Sequence, residues 1–142
     1  MVIHKNGSAV WTGGLKNGKG TVSTQSGALN NQPYGFNTRF EGAAGTNPEE
    51  LIGAAHAGCF SMALAKIIEE AGLSAEKIET SAKVTLEKLE DGFNITKVHL
   101  NLNAQVPGAD ENTVKELAQK AKVGCPVSKL LNAEITLETT VA

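Results

Sequence analysis

The chain has 142 residues and a mass of 14.8 kDa, the usual size of one domain, and we predict a single domain over residues 1–142. Hydrophobic residues make up 41% and charged residues 20%, with 13 Lys and Arg against 15 Asp and Glu and a net charge of −2. This balance excludes an intrinsically disordered chain, and the absence of a basic stripe argues against binding to duplex nucleic acid. The sequence has no run of about 18 uncharged apolar residues and no apolar leader, so we expect a soluble cytoplasmic protein.

The N-terminal third is rich in Gly, Asn, Ser and Thr and contains three short runs with β character. These runs are Ile3–Thr12, Lys19–Thr24 and Tyr34–Glu41, and they are separated by Gly-Gly and Asn-Gly steps typical of hairpins and loops. The pattern predicts a twisted antiparallel meander.

A long helix is predicted to follow. Asn47 is a suitable N-cap, Pro48 suits the first helical position, Glu50 lies three residues after the cap, and Gly72 favours an end near Ala71. From Leu51 to Ala65 the helix has no charged residue and is apolar on nearly every face. Such a helix is expected to be buried all round.

The remainder predicts two alternating strands, a helix, a short helix and a last strand. The strands are Thr80–Leu89 and Phe93–Val106, Asp110 caps a helix over Glu111–Lys122, and Val127–Leu131 and Glu134–Thr140 follow. The sum is an α+β fold, with an antiparallel sheet packed on a long buried central helix.

Two cysteines, Cys59 and Cys125, are the candidates for chemistry. They allow an inert core pair, a weak zinc site with His56, an unfavourable Cys59–His56 nucleophile pair, or a redox couple. Cys125 precedes a helix with Pro at its first position, where the helix dipole favours a thiolate, whereas a buried Cys59 needs a cation to ionise. Arg39 is the one arginine in the chain and therefore the candidate cation.

Resemblance to a known family is carried by three segments, with a fourth that indicates the branch. The three are TNPEEL at Thr46–Leu51, AAHAGCFSMAL at Ala54–Leu64 and AKVGCPVS at Ala121–Ser128. They resemble the OsmC/Ohr family of osmotically inducible and organic hydroperoxide resistance proteins. The segment QPYGFNTRF at Gln32–Phe40 is similar to the OsmC branch.

The resemblance implies a thiol-dependent peroxidase for stress and peroxide defence, built as an intertwined homodimer without metal or cofactor. Cys59 would be the peroxidatic cysteine and Cys125 the resolving one, with Arg39 and Glu49 as the pair that tunes the reactive thiol. The substrate would be an organic hydroperoxide, with hydrogen peroxide used less well, and a lipoyl-type external dithiol would be the reductant. The alternative is a non-enzymatic dimeric module whose cysteines serve packing or hold zinc.

Helix geometry adds one expectation about Glu49. Glu49 and Cys59 are ten residues apart on the predicted helix, which is about 15 Å of rise and about 80° around the axis. Glu49 therefore cannot reach Cys59 of its own chain. If Glu49 has the implied role, it must orient an arginine towards the partner's Cys59.

Overall fold

A computed structural model describes all residues, 1–142, and divides into two compact units, residues 1–51 and 52–142. The first unit contains a three-stranded antiparallel sheet in the order β1 (Gly7–Thr12), β2 (Lys19–Thr24) and β3 (Gln32–Tyr34). The predicted meander is present, although its first strand begins later than Ile3. The prediction of one domain over the whole chain stays a prediction.

The predicted strand over Tyr34–Glu41 is wrong, because most of this segment is the short helix α1 (Phe36–Phe40). The hydroxyl of Thr38 accepts from the backbone N–H of Gly35 at 2.9 Å and donates to its carbonyl at 3.0 Å, which fixes the first turn. The rings of Phe36 and Phe40 pack with centroids 4.9 Å apart, a contact that the i, i+4 spacing of a helix creates. These local contacts outweigh the β character of the segment.

Helix α2 (Pro48–Glu70) confirms the predicted long helix. The Asn47 side chain accepts from the N–H of Glu50 at 2.8 Å, as expected of an N-cap. Gly72 adopts φ 77°, the left-handed conformation that ends helices. Both ends of α2 are therefore encoded locally.

The burial of α2 differs from the sequence expectation. The chain itself buries one stripe of the helix, whereas Met62 on another face is 77% exposed. By length and composition alone α2 could cross a membrane, because an 18-residue window of it has a mean hydropathy of 1.6. Within the chain 28% of that window is buried, and the core helices of other proteins reach the same length and hydropathy. The buried stripe consists of Gly53, His56, Phe60, Leu64 and Ile68.

The second unit contains the remaining strands and helices. Strands β4 (Lys77–Leu89) and β5 (Gly92–Gln105) form an antiparallel hairpin, which confirms the two predicted alternating strands. Helices α3 (Glu111–Gly124) and α4 (Pro126–Leu130) follow. Asp110 caps α3 as predicted, accepting from the N–H of Thr113 at 2.7 Å.

The last strand, β6 (Glu134–Val141), pairs with β5 in parallel, so the second sheet is mixed and not purely antiparallel. Parallel strands require a long crossover connection. The segment α3–α4 is this crossover, because it returns the chain from the end of β5 to the level of Lys97, where β6 begins and runs in the same direction. The α+β class itself is confirmed.

One hydrophobic core lies within this second unit. It joins the buried face of α2 beyond Gly53 to β5 and α3, and Cys125 belongs to it. Gly53 permits close packing, because a Cβ there would lie 3.2 Å from the carbonyl oxygen of Ala82 on β4. The core residues with no exposure are Phe60, Leu64, Ile68, Val98, Leu100, Leu102, Ala104, Val114, Ala118, Ala121 and Cys125.

Candidate functional site

The tertiary structure brings Cys59 and Cys125 together, although they are 66 residues apart in sequence. Cys59 lies in the middle of α2 and is partly exposed, and Cys125 lies at the corner between α3 and α4 and is fully buried. The two side chains hydrogen-bond to each other, and both are free thiols. This arrangement places an accessible sulfur next to a protected one.

Local backbone structure fixes the position of Cys125. Its N–H donates to the carbonyl of Ala121 at 2.9 Å and ends α3, and its own carbonyl accepts from Lys129 at 3.1 Å and begins α4. Its extended conformation, with φ −60° and ψ 124°, is the one that a residue before proline favours, and Pro126 follows. The thiol is therefore held on a rigid corner between two helices.

The two thiols differ in acidity. Burial raises the pKa of Cys59, and the hydrogen bond with Cys125 raises it further. A hydrogen bond with the N–H of Val127 lowers this pKa but does not cancel the rise. Burial also opposes ionisation of Cys125, but contacts with Cys59, with the N–H and hydroxyl of Ser128 and with the N–H of Val127 together lower its pKa. The sulfur of Cys125 makes no regular capping hydrogen bond to α4, yet it lies beside the first N–H groups of that helix. Within one chain, Cys125 is the more acidic thiol.

His56 and Ser128 lie beside the cysteine pair. His56 is fully buried, and its Nε2 is 2.7 Å from the hydroxyl oxygen of Ser128, which also contacts Cys125. Burial lowers the pKa of His56 and favours the neutral ring. The zinc alternative loses support because no group of three or more His, Cys, Asp or Glu side chains is arranged so that it could hold a metal ion.

Arg39 and Glu49 form a second pair, within the first unit. The Arg39 Nε donates to the two carboxylate oxygens of Glu49 at 2.9 and 3.3 Å, and Nη2 donates to Oε1 at 2.7 Å. The guanidinium carbon also lies 5.3 Å from the centre of the Phe40 ring. These contacts fix the plane of the guanidinium, which one ammonium group could not reproduce.

A mostly apolar cavity of about 170 Å³ adjoins Arg39 in the same unit. Aromatic side chains from β1, β3 and α1 provide most of its wall, and one face of Arg39 completes it. A guanidinium at the edge of an apolar cavity suits a ligand with one polar end and one hydrocarbon end. The other lining residues are Trp11, Leu15, Tyr34, Gly35, Phe36 and Phe40.

Comparison with known proteins assigns the family. The profile of the family described as OsmC-like protein matches residues 40–140. The chain belongs to the OsmC family. Over 138 residues it is 62% identical to the peroxiredoxin OsmC of Escherichia coli strain K12, a match that covers 97% of this chain and 96% of the relative.

More distant members of the family agree. The chain is 30% identical over 122 residues to the organic hydroperoxide resistance protein OhrB of Bacillus subtilis strain 168, covering 84% of this chain and 88% of that protein. The crystal structure of OhrB superposes with a TM-score of 0.71 at 28% identity, covering 95% of this chain and 98% of the other. The family and fold expected from the sequence are thereby confirmed.

The structure thus places the four predicted site residues as two pairs, Cys59 with Cys125 and Arg39 with Glu49. Sequence analysis did not single out Ser128 as a functional residue. The signal that could have found it is its spacing, since a residue three positions after the N-cap Cys125 faces the cap side chain.

Proposed function

We propose that the chain is a cysteine peroxidase that reduces organic hydroperoxides to alcohols, and hydrogen peroxide less well. The observation that carries the proposal is the contact between the partly exposed Cys59 and the buried Cys125. The names of the relatives, a peroxiredoxin and organic hydroperoxide resistance proteins, support the same reaction.

The reaction begins at Cys59. Its thiolate attacks the distal oxygen of the hydroperoxide, the O–O bond breaks, and the alkoxide leaves and takes a proton to become an alcohol. Cys59 is then a sulfenic acid. Cys125 condenses with it to form a disulfide and water.

Arg39 and Glu49 are proposed to activate this step. Burial raises the pKa of Cys59, so a permanent cation is needed to stabilise its thiolate. Two of the five N–H donors of Arg39 are held by Glu49, which leaves three for a thiolate or a peroxide. Because Glu49 lies about 15 Å from Cys59 along α2, we infer that the pair acts on the Cys59 of a second copy.

The second copy is the proposed partner that covers the exposed face of α2. Ala55, Gly58 and Met62 on this face are exposed in the single chain and follow one another at helical spacing. The small side chains Ala55 and Gly58 permit close approach between helices, Met62 adds apolar surface, and a two-fold axis would bring the same face of both copies together. An intertwined homodimer is therefore part of the proposal.

The apolar cavity next to Arg39 supports the preference for organic substrates. Its walls suit an alkyl or aryl group, while the guanidinium faces the polar peroxide. Of the apolar side chains near the motifs, Phe36 and Phe40 line this cavity, whereas Phe60 belongs to the core. Hydrogen peroxide has no group to fill the cavity and gains nothing from it.

The oxidised enzyme must be reduced by an external dithiol, and we propose a lipoyl-type dithiol. A reducing compartment is needed for both thiols to be restored, so a cytoplasmic location is part of the proposal. Peroxide consumption supported by dihydrolipoamide, compared with thioredoxin and glutathione, tests the reductant.

Intact-mass measurement after one equivalent of cumene hydroperoxide tests the reaction itself. The wild-type chain should lose two hydrogens, as a disulfide requires. Cys125→Ser should gain one oxygen and then over-oxidise in excess peroxide, and Cys59→Ser should remain unchanged. If Cys125→Ser were the inert variant, the two roles would be reversed, and unchanged mass in the wild type would refute the peroxidase.

A further inference from the structure

The buried ring of His56 is bonded on one side only. Its Nε2 lies 2.7 Å from the Ser128 hydroxyl oxygen, whereas its Nδ1 is buried and has no hydrogen-bond partner. No step of the proposed reaction uses this histidine. Leaving a polar atom unpartnered in the core costs free energy, so the ring calls for an explanation beyond packing.

The unpartnered nitrogen determines which tautomer the ring adopts. Buried N–H groups without an acceptor are rarer than buried acceptors without a donor. The favoured tautomer therefore has the ring proton on Nε2 and the bare lone pair on Nδ1. In this tautomer Nε2–H donates to the Ser128 oxygen, which frees the Ser128 hydroxyl proton to point elsewhere.

The Cys125 sulfur is the acceptor that the Ser128 hydroxyl proton can reach. Cys125 is the N-cap of α4 and Ser128 lies three residues later, so the Ser128 hydroxyl contacts the Cys125 sulfur. We propose that His56 and Ser128 form a donor chain, His56 Nε2–H to Ser128 Oγ–H to Cys125 Sγ, that activates the resolving thiol. Ser128 acts on the reacting sulfur, and His56 is a positioning residue that sets the direction of the Ser128 hydroxyl.

The direction of the two hydrogen bonds decides whether they stabilise the thiol or the thiolate of Cys125. If the proton were on Nδ1, Ser128 would donate to His56 and could only accept from the Cys125 thiol, which would hold Cys125 protonated. With the proton on Nε2, Ser128 donates to sulfur and stabilises the thiolate, in agreement with the lowered pKa of Cys125.

Disulfide formation is the step that a more ionised Cys125 makes faster. This inference rests on the proposed function. The Cys125 thiolate gives its electron pair to the sulfur of the Cys59 sulfenic acid, the S–S bond forms and the S–O bond breaks. Hydroxide leaves with the bonding pair and takes a proton from solvent to become water. Cys125 is oxidised and Cys59 is reduced by the same amount, so no further reactant is needed.

Several groups act on the Cys125 thiol, and the Ser128 hydroxyl is one of them. Among the titratable groups on the elements around it, Cys59 on α2 acts on its sulfur directly, and His56 on α2 acts through Ser128. The charged groups on the neighbouring helices are Lys122 on α3 and Lys129 on α4, and the backbone N–H groups of Ser128 and Val127 also lower the pKa of the Cys125 thiol. Replacing Ser128 by Ala removes the hydroxyl contact and leaves the contacts with Cys59 and the two backbone N–H groups in place, so it tests the hydroxyl by itself.

The test follows two steps separately in acid-quenched reactions with cumene hydroperoxide, read by intact mass. A mass one oxygen above that of the reduced chain reports the Cys59 sulfenic acid. A later mass two hydrogens below that of the reduced chain reports the disulfide, which forms with release of water. At neutral pH, Ser128→Ala should slow the second step by about threefold to tenfold, because fewer Cys125 molecules are ionised although each thiolate is more nucleophilic. The first step should change by less than about twofold.

Two variants provide the controls. Ser128→Thr keeps the hydroxyl and should restore the rate of disulfide formation. Ser61→Ala removes a hydroxyl of α2 that makes an equally short 2.7 Å contact with Thr80, and it should leave both steps unchanged.

The pH profile distinguishes activation of the thiol from a disturbed structure. In the Cys59→Ser background, the ultraviolet absorbance of the Cys125 thiolate should show a higher pKa when Ser128 is replaced by Ala. In the two-cysteine protein, the defect in disulfide formation should disappear at a pH above this pKa. His56→Leu should slow the step as well, and combining it with Ser128→Ala should add nothing, because both break the same chain.

Equal rates of disulfide formation in the wild type and Ser128→Ala would overturn the proposal, as would a defect that persists at high pH or no rescue by Ser128→Thr. Failure of the proposed function is distinct, because the wild type would then form neither product.

Discussion

Replacement of Arg39 by Lys tests the guanidinium geometry rather than its charge. Arg39 uses Nε and Nη2 on the Glu49 carboxylate, at 2.9 and 2.7 Å, and this two-point contact fixes the direction of its remaining donors. Lys has a single nitrogen, which can pair with Glu49 or face the substrate but cannot hold both geometries. The positive charge is retained in the variant.

The expected loss follows from the hydrogen bond that the variant cannot make. A hydrogen bond to a charged group contributes about 2 kcal/mol, and about 1.4 kcal/mol corresponds to tenfold in rate. Arg39→Lys should therefore lower kcat/KM for cumene hydroperoxide by about 30-fold. Arg39→Gln, which also removes the charge, should lower it by about 100-fold or more.

Stability should change little. The Arg39 side chain is 37% exposed, and ion pairs at such positions contribute at most about 1 kcal/mol. The Tm of Arg39→Lys should then fall by less than about 5 °C. A loss of activity with an unchanged Tm separates a role at the site from a role in folding.

Stopped-flow measurement of Cys59 oxidation, under single-turnover conditions, is the assay. The matched control is Glu79→Gln, which breaks the 2.8 Å ion pair with Lys77 on β4 and should leave the rate unchanged. A rate for Arg39→Lys within about threefold of the wild type would refute the argument and return Arg39 to a structural role.

Two further predictions test the proposed homodimer. Heterodimers refolded from Glu49→Ala and Cys59→Ser chains should regain about half of the wild-type activity. The reason is that Cys59 of the Glu49→Ala chain would face the intact Glu49 of the other chain. No recovery in verified heterodimers would exclude a shared site. Met62→Lys should shift the protein from dimer to monomer in analytical ultracentrifugation, because Met62 is 77% exposed in the single chain and a charge would be buried at the interface. Met62→Leu is the control, and a dimer that survives Met62→Lys would place the interface elsewhere.

The sequence alone determined the elements whose signals are local. Asn47, Pro48 and Gly72 fix the ends of α2, Asp110 begins α3, and the alternating pattern gives the β4–β5 hairpin. Each of these signals acts over a few residues through a hydrogen bond or a backbone preference. Two cysteine motifs were also specific enough to identify the family.

Tertiary structure decided what depends on contacts between distant residues. The helix α1 is a different case, because local contacts of Thr38 with Gly35 and of Phe36 with Phe40 form a helix in a segment whose β character predicted a strand. The parallel pairing of β6 with β5 follows from the path of the crossover, which periodicity does not report.

The site shows the same division. Residue types marked Cys59, Cys125 and Arg39 as candidates, and the family resemblance added Glu49. Only the packing of α2 against the α3–α4 corner brings Cys59 and Cys125 into contact across 66 residues of sequence. The direction of the hydrogen bonds from His56 depends on which of its nitrogens the core leaves without a partner. Such a property belongs to the three-dimensional surroundings of a side chain, and no local pattern in the sequence encodes it.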